Sequence, residues 1–286
     1  MVRAITDDGA FRVITARTTE TVRGATAAQG AKGATARHFG ELVTGTILVR
    51  EAMAPSLRVQ GILKGAGGKG TLVADAHPDG SSRGLVNFRG SGEISVEKGA
   101  LLQMMRTLPS GALHQGMVEV PEVSRGDGRG GPASGISAGL MAYMQDSEQI
   151  VSTIAVATVL AGDEVVAAGG YLVQLLPEVE RGPLMVMTER LAELEDLSGL
   201  LRSGATPDTL LEELLYGMPF TRIEASRLCF ACHCSQLRVV ATLATLPRAD
   251  VEDLIRSGEV LQIRCDYCGK DYEVAPAQLR SLLTTS

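Results

Sequence analysis

The chain has 286 residues, of which 45% are hydrophobic, enough for one large domain and a small one. Aromatic residues make up 3% and tryptophan is absent, so the core must be built mainly from aliphatic residues and methionine. The net charge of −6 argues against nucleic acid or an anionic membrane as the main partner. No apolar run is long enough to span a membrane and the polar start lacks a signal peptide, which together predict a cytoplasmic protein.

The sequence of the N-terminal part predicts two helices and an antiparallel meander. A strand is expected over residues 10–16, a helix capped by Thr18 or Thr19 follows, and a longer helix is expected over residues 35–53. Glycine-rich turns separate four further predicted strands, over residues 57–63, 70–76, 84–89 and 92–97. The glycines at positions 65, 67 and 68 are interpreted as a hairpin turn, because the Gly-Lys-Ser/Thr signature of a phosphate-binding loop is missing.

The middle of the chain predicts a helix and a buried hairpin. The elements expected first are a strand over residues 116–120, a Gly/Arg-rich surface loop over residues 124–135 and a helix over residues 136–149. Two apolar runs, 151–160 and 165–176, flank the turn sequence Gly162-Asp163-Glu164 and predict a hairpin of buried strands. The glycine pair at positions 169 and 170 indicates a bulge or a close backbone approach.

From residue 178 the pattern changes to amphipathic helices. Pro183 suits the first turn of one helix, and Thr206 and Pro207 begin another. The apolar stripe expected to pack on the sheet is formed by Leu184, Met187, Leu191, Leu194 and Leu201. These patterns together predict an α+β fold with three parts. The parts are an N-terminal mixed sheet-and-helix core domain (1–177), a helical linker (178–228) and a small C-terminal zinc-binding domain (229–286).

All five cysteines of the chain lie between positions 229 and 268. Cys232 and Cys234 are spaced C-x-C, and Cys265 and Cys268 are spaced C-x-x-C. Two close pairs joined by an intervening segment give the four thiolates of a tetrahedral structural site, so we expect one Zn²⁺ here. The alternative, a set of inert buried thiols, does not explain why no cysteine precedes this region.

Two neighbouring residues leave alternatives open. Cys229 lies just outside the motif, and it is either an ordinary packed thiol or the source of a non-native or intermolecular disulfide. His233 lies between two ligands and could compete for the metal, although four cysteines leave no coordination position vacant. In a cytoplasmic protein, clustered cysteines are more often metal-binding or redox-sensing than structural disulfides.

The C-terminal region is too small to bury much core without a metal. Short helices are expected over residues 239–246 and 249–255, and a strand over residues 260–264 is expected to pair with residues 272–274. Structural zinc contributes roughly 10–16 kcal/mol of folding free energy in small domains. Removal of the metal is therefore expected to unfold this region.

The cysteine motifs and several separated blocks resemble the redox-regulated thirty-three-kilodalton heat-shock chaperone family of bacteria. The strongest block joins Phe-x-Cys-x-Cys-Ser at residues 230–235 to Ile-x-Cys-x-x-Cys-Gly at residues 263–269. Other similar blocks are Leu63-Lys64-Gly65, Arg83-Gly84 after Asp79-Gly80, Gln115-Gly116, Ser147-Glu148-Gln149-Ile150, Ala167-Ala168-Gly169-Gly170 and Gln174-Leu175-Leu176-Pro177. The resemblance covers nearly the whole chain. A longer loop at residues 124–135 and a weakened acidic patch before Ser147 depart from the family pattern, and they affect surface details rather than the switch.

The resemblance implies a cytoplasmic, ATP-independent holdase rather than an enzyme. It implies that the reduced form holds Zn²⁺ through Cys232, Cys234, Cys265 and Cys268 and binds unfolded client proteins poorly. Strong oxidants would then form the disulfides Cys232–Cys234 and Cys265–Cys268, expel the zinc, unfold the zinc domain, destabilise the linker and favour a homodimer. Zinc-bound thiolates are already in the form that oxidants attack. We expect the client surface to involve the linker helices and the sheet face that they cover.

Two other functions compete with this interpretation. The first is a zinc ribbon that binds RNA or protein without a redox switch. RNA binding is disfavoured, because residues 229–286 carry six basic and seven acidic side chains and few stacking aromatics. A thiol oxidoreductase that uses Cys265 and Cys268 would be expected to place them at a helix start, without a second cysteine pair. His38, His77 and His114 are scattered along the sequence and suggest no catalytic set.

Overall fold

The computed structural model describes residues 1–53, 55–88, 93–122, 135–177, 181–194 and 196–283. The chain divides into two compact units, Met1–Phe230 and Ala231–Ser286. The strands and helices of the described residues confirm the predicted α+β class. The three-part division of the sequence stays a prediction, and nearly all of the predicted loop over residues 124–135 lies outside the described residues. Within the described part of the chain, no helix has the length and apolarity needed to cross a membrane.

The first unit contains two sheets. Its strands are β1 (Val2–Thr6), β2 (Phe11–Arg17), β3 (Val59–Lys64), β4 (Gly70–Ala76), β5 (Ser81–Phe88), β6 (Leu101–Thr107), β7 (Leu113–Glu119), β8 (Ser152–Ala161), β9 (Glu164–Leu175), β10 (Phe220–Ala225) and β11 (Cys229–Phe230). One sheet has the strand order β10-β1-β2-β9-β8, and the other has the order β11-β5-β4-β3-β6-β7. All neighbours pair antiparallel except β11 and β5, which run parallel.

Helix α2 lies between these two sheets. The helices of the first unit are α1 (Thr19–Gln29), α2 (Gly33–Met53), α3 (Gly135–Asp146), α4 (Arg181–Glu193), α5 (Leu197–Arg202) and α6 (Pro207–Leu214). Helix α2 contacts β8 and β9 on one side and β3 and β4 on the other, and Phe39, Leu42 and Leu48 join the core that both sheets share. A Cβ at Gly45 would collide with Leu140, so glycine here lets α3 approach α2 closely.

The other face of the five-stranded sheet is covered by α4, α5 and α6. The sheet contributes Val2, Ala4, Val13, Tyr171 and Val173 to this second core, and the helices, with the turn after α4, contribute Met187, Leu194, Leu201, Leu210, Leu211 and Leu214. The predicted packing of amphipathic helices on the sheet is thus confirmed. Leu184 was predicted to join the apolar stripe, and this is wrong: it is 43% exposed, on the first turn of α4 beyond the covered face.

Helix α6 has the cap that its sequence predicts. Thr206 Oγ1 accepts a hydrogen bond from Thr209 N at 3.1 Å, and Pro207 occupies the first turn. Replacing Thr206 with alanine is expected to lower the free energy of unfolding of the first unit by about 1 kcal/mol, which denaturant unfolding measures. Thr188→Ala, which removes an exposed hydroxyl inside α4, is the control. Equal stability of the two variants would contradict the role of the cap.

The side chains of Thr18 and Thr19 do not cap α1, contrary to the prediction. The Thr18 hydroxyl hydrogen-bonds to the Thr44 hydroxyl at 2.7 Å, and Thr19 Oγ1 donates to Ala168 O at 3.3 Å. Both threonines are buried beside α2 and β9. Because buried polar groups need hydrogen-bond partners, their hydroxyls bond to Thr44 and Ala168 of these neighbouring elements. The hydroxyls therefore fasten α1 to its neighbours instead of to its own first turn.

The strand predictions are wrong in several places. The sequence patterns do not predict β1, β6 or β10, and residues 93–97 form no strand although one is expected over residues 92–97. The segment predicted as a helical linker ends in β10, which lies at the edge of the five-stranded sheet. Five of the six β10 side chains are exposed, so its sequence lacks the alternation of a half-buried strand.

The glycine pair in β9 marks a close backbone approach, one of the two alternatives that the sequence left open. A Cβ at Gly169 would lie 2.5 Å from Ala16 O of the neighbouring strand β2. The irregularity in the predicted hairpin lies elsewhere, between Val159 and Leu160 of β8. The hairpin itself is confirmed, with its turn between β8 and β9.

The second unit is small and has little core. Its elements are α7 (Gln236–Leu243), α8 (Arg248–Ser257), β12 (Leu261–Arg264), β13 (Asp271–Val274) and α9 (Pro276–Leu283). The antiparallel pairing of β12 with β13 is confirmed, whereas α9 was not predicted. Among the described residues, only Val251, Val274 and Leu279 form its fully buried cluster. A core of this size gives little hydrophobic stabilisation by itself.

Candidate metal centre

Four cysteine side chains of the second unit converge from two loops. Cys232 and Cys234 lie in the segment before α7, and Cys265 and Cys268 lie in the turn between β12 and β13. Their Sγ atoms all lie within 4.8 Å of one another. The two cysteine pairs of the sequence are therefore brought together. No other group of three or more side chains that could hold a metal occurs among the described residues.

The sulfur separations suit a tetrahedral metal. The Sγ atoms of Cys232 and Cys265 are 3.8 Å apart, and those of Cys234 and Cys268 are 3.4 Å apart. Four sulfurs placed tetrahedrally at the Zn–S bond length of about 2.3 Å would lie about 3.8 Å from one another. The four cysteines are thus positioned to hold a metal ion. Four protein ligands leave no open position for a reacting water, which is the arrangement of a structural site.

The turn between β12 and β13 has backbone groups directed at a sulfur. Cys265 N donates to Lys270 O at 2.9 Å, and Gly269 N donates to Cys265 O at 2.8 Å. The N–H groups of Tyr267 and Cys268 hydrogen-bond to Cys265 Sγ, an arrangement that stabilises a thiolate. Gly269 has a φ of +72°, in the left-handed region that glycine adopts without strain. The glycine after C-x-x-C therefore allows the turn to close.

The first cysteine pair is fixed by the start of α7. Ser235 Oγ accepts a hydrogen bond from Arg238 N at 3.3 Å and caps the helix. The Arg238 side chain donates from Nη1 to His233 O at 2.8 Å. His233 thus supplies its carbonyl to the loop, and its side chain is not part of the sulfur cluster.

The thiols of the cluster differ in proton affinity. Burial raises the pKa of Cys265, and it raises the pKa of Cys268 to about 12. Burial acts in the same direction on Cys234, but hydrogen bonds from Tyr272 Oη and from the neighbouring thiols outweigh it and lower the pKa of Cys234 to about 7. Without a metal, the Cys234 thiolate is therefore stabilised by Tyr272 and Cys268, whose own pKa values are raised.

Tyr272 also contributes to the site, and the spacing of residues in the sequence could not identify it. Its Oη lies 3.0 Å from Cys234 Sγ, to which it donates a hydrogen bond. Partners that orient metal ligands typically contribute ten- to a hundredfold to metal affinity. Tyr272→Phe is therefore expected to weaken zinc binding by roughly tenfold or more, measured by competition with a chromogenic chelator in the reduced protein.

Tyr216→Phe provides the matched control for this prediction. Tyr216 is 69% exposed and belongs to the first unit, so loss of its hydroxyl should leave zinc affinity unchanged. Equal zinc affinities for the Tyr272→Phe and Tyr216→Phe proteins would show that the Tyr272 hydrogen bond does not support the site.

Cys229 is not a member of the sulfur cluster. It belongs to β11 in the first unit, where its side chain is exposed and its N–H donates to Gly80 O at 3.1 Å. The adjacent Phe230 packs against the larger core and lies directly on Gly24 of α1. A Cβ at Gly24 would come within 2.6 Å of the Phe230 Cβ. The phenylalanine of the cysteine motif therefore anchors the end of the first unit.

The Ser147–Ile150 block contributes a polar cluster rather than a metal site. Glu148 accepts hydrogen bonds from Arg106 Nε at 3.1 Å, from Arg106 Nη2 at 3.0 Å and from the Tyr143 hydroxyl. Burial acts to raise the pKa of Glu148, but the Arg106 guanidinium outweighs it and holds the pKa below its usual value. These bonds fasten the end of α3 to β6.

Comparison with known proteins identifies the family of the chain. A family model described as Hsp33 protein matches residues 1–275. The chain belongs to the Hsp33 family. Hsp33 proteins are chaperones, so the resemblance found in the sequence is confirmed, and the cysteine cluster fits the zinc expected in a stress-response chaperone of this family. The Hsp33 family also implies binding of client proteins.

Individual Hsp33 relatives match the chain along its full length. A 33 kDa chaperonin of Syntrophotalea carbinolica is 31% identical, over 99% of this chain and 98% of its own length. A 33 kDa chaperonin of Bacillus subtilis is 25% identical, over 99% of this chain and 97% of its own. The crystal structure of the Hsp33 homologue from Thermotoga maritima has a TM-score of 0.79 and 22% identity, over 99% of this chain and 97% of that chain. This structure supports the fold.

Proposed function

We propose that this Hsp33 protein is a redox-regulated, ATP-independent holdase of the cytoplasm. In the reduced form, zinc is held by Cys232, Cys234, Cys265 and Cys268, and unfolding proteins are bound poorly. Oxidation of the four thiolates releases the zinc and activates the chaperone. The observation that carries the proposal is the convergence of four Sγ atoms within 4.8 Å, in a chain of a chaperone family.

Oxidation would turn the metal ligands into disulfides that cannot hold zinc. Zinc-bound cysteines are thiolates, the form that oxidants attack. Two thiolates and one molecule of hypochlorous acid give one disulfide, one chloride ion and one hydroxide ion, with two electrons passing from sulfur to chlorine. Two such reactions consume all four ligands, and the zinc ion then leaves because metal binding requires the thiolates.

The family resemblance supplies the disulfide pairing Cys232–Cys234 and Cys265–Cys268. Sulfur positions alone also permit the pairs Cys232–Cys265 and Cys234–Cys268, which are 3.8 and 3.4 Å apart. Peptide mapping of the oxidised protein distinguishes the two pairings. A disulfide that joins a peptide with Cys232 or Cys234 to one with Cys265 or Cys268 would contradict the proposed pairing.

The client surface that we propose is the sheet face beneath α4, α5 and α6, together with the inner sides of these helices. The apolar side chains of both layers are buried against each other. Helices α5 and α6 have only six and eight residues, and helices of this length are marginal without tertiary packing. Loosening of this layer would expose a contiguous apolar surface, which is the kind of surface that binds unfolded proteins.

Aggregation of a chemically unfolded client, followed by light scattering without ATP, tests the proposed function. The oxidised protein is expected to suppress aggregation, and the reduced, zinc-loaded protein is expected not to. Suppression by both forms would mean that zinc is only structural. Suppression by neither would contradict the holdase and favour a zinc ribbon that binds protein or RNA. Sedimentation tests the proposed homodimer of the oxidised form, and a gel shift tests the expected lack of nucleic-acid binding.

A further inference from the structure

The edge strand of the five-stranded sheet is held more by its backbone than by its side chains. Among the described strands, β10 pairs only with β1. Five of the six β10 side chains are exposed, and Ile223 at the irregular point of the pairing is 56% exposed. In contrast, Val2, Ala4 and Thr6 of β1 are buried. Departure of β10 would therefore expose little apolar surface of its own and would leave an ordered strand with an open edge.

Alternate residues of β1 direct their backbone donors toward β10. The amino group of Met1 and the N–H of Asp7 donate to carbonyl oxygens of the segment 219–226, at 3.1 and 2.9 Å. Donor direction alternates along an antiparallel strand, and the extra residue of the irregular pairing lies on β10. The N–H groups of Arg3 and Ile5 therefore also point toward β10.

Two side chains that β10 places on the covered face fit it differently, because Phe220 packs against the second core whereas Arg222 does not match the apolar surface. Arg222 lies opposite Ala4 and forms ion pairs with Asp208 at 3.1 Å and Glu212 at 2.9 Å. All three charged side chains are about half exposed or more, and ion pairs of this kind contribute little to stability. Once α6 has moved away, a bound extended segment would place an apolar residue opposite Ala4. That residue would pack on the apolar sheet face that α6 leaves.

The strand and the helix that cover β1 belong to one continuous segment. Helix α6 contacts both β1 and β2, and its Leu210, Leu211 and Leu214 pack in the same core as Val2 and Ala4. Strand β10 follows α6 after a short connection. Loosening of this segment therefore opens the hydrogen-bonding edge of β1 and its apolar face at the same time.

We propose that β10 is an autoinhibitory strand, and that in the activated protein the edge of β1 binds an extended segment of an unfolded client by antiparallel strand addition. This inference rests on the proposed holdase function and specifies how the client is bound. Main-chain hydrogen bonds supply affinity that does not depend on sequence, and alternate side chains enter the apolar face. Unfolded clients of different sequence share these features.

Thr221→Pro tests the autoinhibitory role in the reduced, zinc-loaded protein. Thr221 lies opposite Ile5, and proline removes its N–H from the pairing with β1. Binding of a synthetic peptide of alternating valine and threonine, with lysine at both ends, is expected to be about tenfold tighter than in Thr221→Val, which keeps the pairing. Equal binding by the two folded variants would overturn the proposal.

A second variant keeps this test informative if the proline protein does not fold. Arg222→Glu turns the ion pairs with Asp208 and Glu212 into repulsions, and it should also raise peptide affinity. Arg248→Glu is its control, because Arg248 lies in the second unit and has an exposed ion pair with Glu252. Equal peptide affinities for these two variants would likewise overturn the proposal.

Competition experiments with the oxidised wild-type protein distinguish strand addition from binding through side chains alone. N-methylation of alternate valines removes backbone donors from the peptide and keeps its apolar side chains. The unmodified peptide is expected to compete with the unfolded client about tenfold better, and to protect the Arg3 and Ile5 amides from hydrogen exchange. Equal competition would overturn strand addition and leave the holdase function intact. Failure of the oxidised protein to hold any client would instead overturn the holdase function.

Strand exchange between two copies of the chain gives a different result in the same experiment. Protection of the Arg3 and Ile5 amides would then appear without peptide and would increase with protein concentration. That outcome would assign the β1 edge to β10 of a second copy and would overturn its assignment to the client.

Discussion

Removal of zinc from the reduced protein is expected to unfold the second unit and to leave the first unit folded. The fully buried cluster described for the second unit consists of Val251, Val274 and Leu279, and α7 has no buried residue. Structural zinc contributes roughly 10–16 kcal/mol in small domains, as much as the whole stability of a typical domain. A chelator should therefore abolish protection from hydrogen exchange over residues 231–283 and preserve it in the first unit.

Cysteine variants make the same test without a chelator. Cys268→Ser removes one of the four clustered cysteines, so it should lose zinc and the ordered NMR spectrum of the second unit. Cys229→Ser is the matched control, since it removes a cysteine that lies outside the cluster and should keep both. A zinc-free Cys268→Ser protein with an ordered second unit would show that packing alone maintains this fold, contrary to the expected role of the metal.

Leu211→Asp is expected to release the helices from the sheet while zinc stays bound. Leu211 of α6 is fully buried in the core that α6 shares with the five-stranded sheet. Removing a buried leucine costs about 2–5 kcal/mol, and burying an unpaired carboxylate adds a desolvation penalty. The reduced variant should therefore bind an environment-sensitive apolar dye and suppress client aggregation without oxidation.

Leu184→Asp is the control for this variant because it makes the same chemical change at a leucine that is 43% exposed on α4. It should leave stability, dye binding and client binding close to those of the wild type. If Leu211→Asp binds client no better than Leu184→Asp although its helices are exposed to protease, the covered sheet face is not the client surface. Zinc analysis of both variants checks that the metal is retained, as expected.

Local patterns in the sequence predicted the elements whose residues carry a signal of their own. Helix α2 has apolar residues at helical spacing, the β8–β9 hairpin has two long apolar runs, and Thr206 and Pro207 mark the start of α6. The cysteine spacing predicted a metal site because two close pairs can supply the four thiolates that a tetrahedral site needs, and the structure brings the four sulfurs together. In each case the physical requirement falls on residues that are neighbours in the sequence.

Features that depend on distant partners could not be predicted in this way. Strand β10 is recognisable only through its pairing with β1, at the other end of the first unit, because its own side chains are mostly exposed. Thr18 looks like a helix cap, but Thr44 of the next helix takes its hydroxyl. Tyr272 reaches Cys234 only through the folding of β13 toward the first cysteine loop. Tertiary contacts override local preference at these positions.

Zinc release and client binding should occur together if oxidation of the four cysteines is the switch. Both are measured in the same samples when hypochlorous acid is added stepwise to the zinc-loaded protein, with a chromogenic indicator for zinc and light scattering for client aggregation. We expect suppression of aggregation to increase in proportion to the zinc released, and to be lost when thiols are reduced in the presence of zinc. Full suppression while zinc stays bound, or complete zinc release without suppression, would contradict the redox switch.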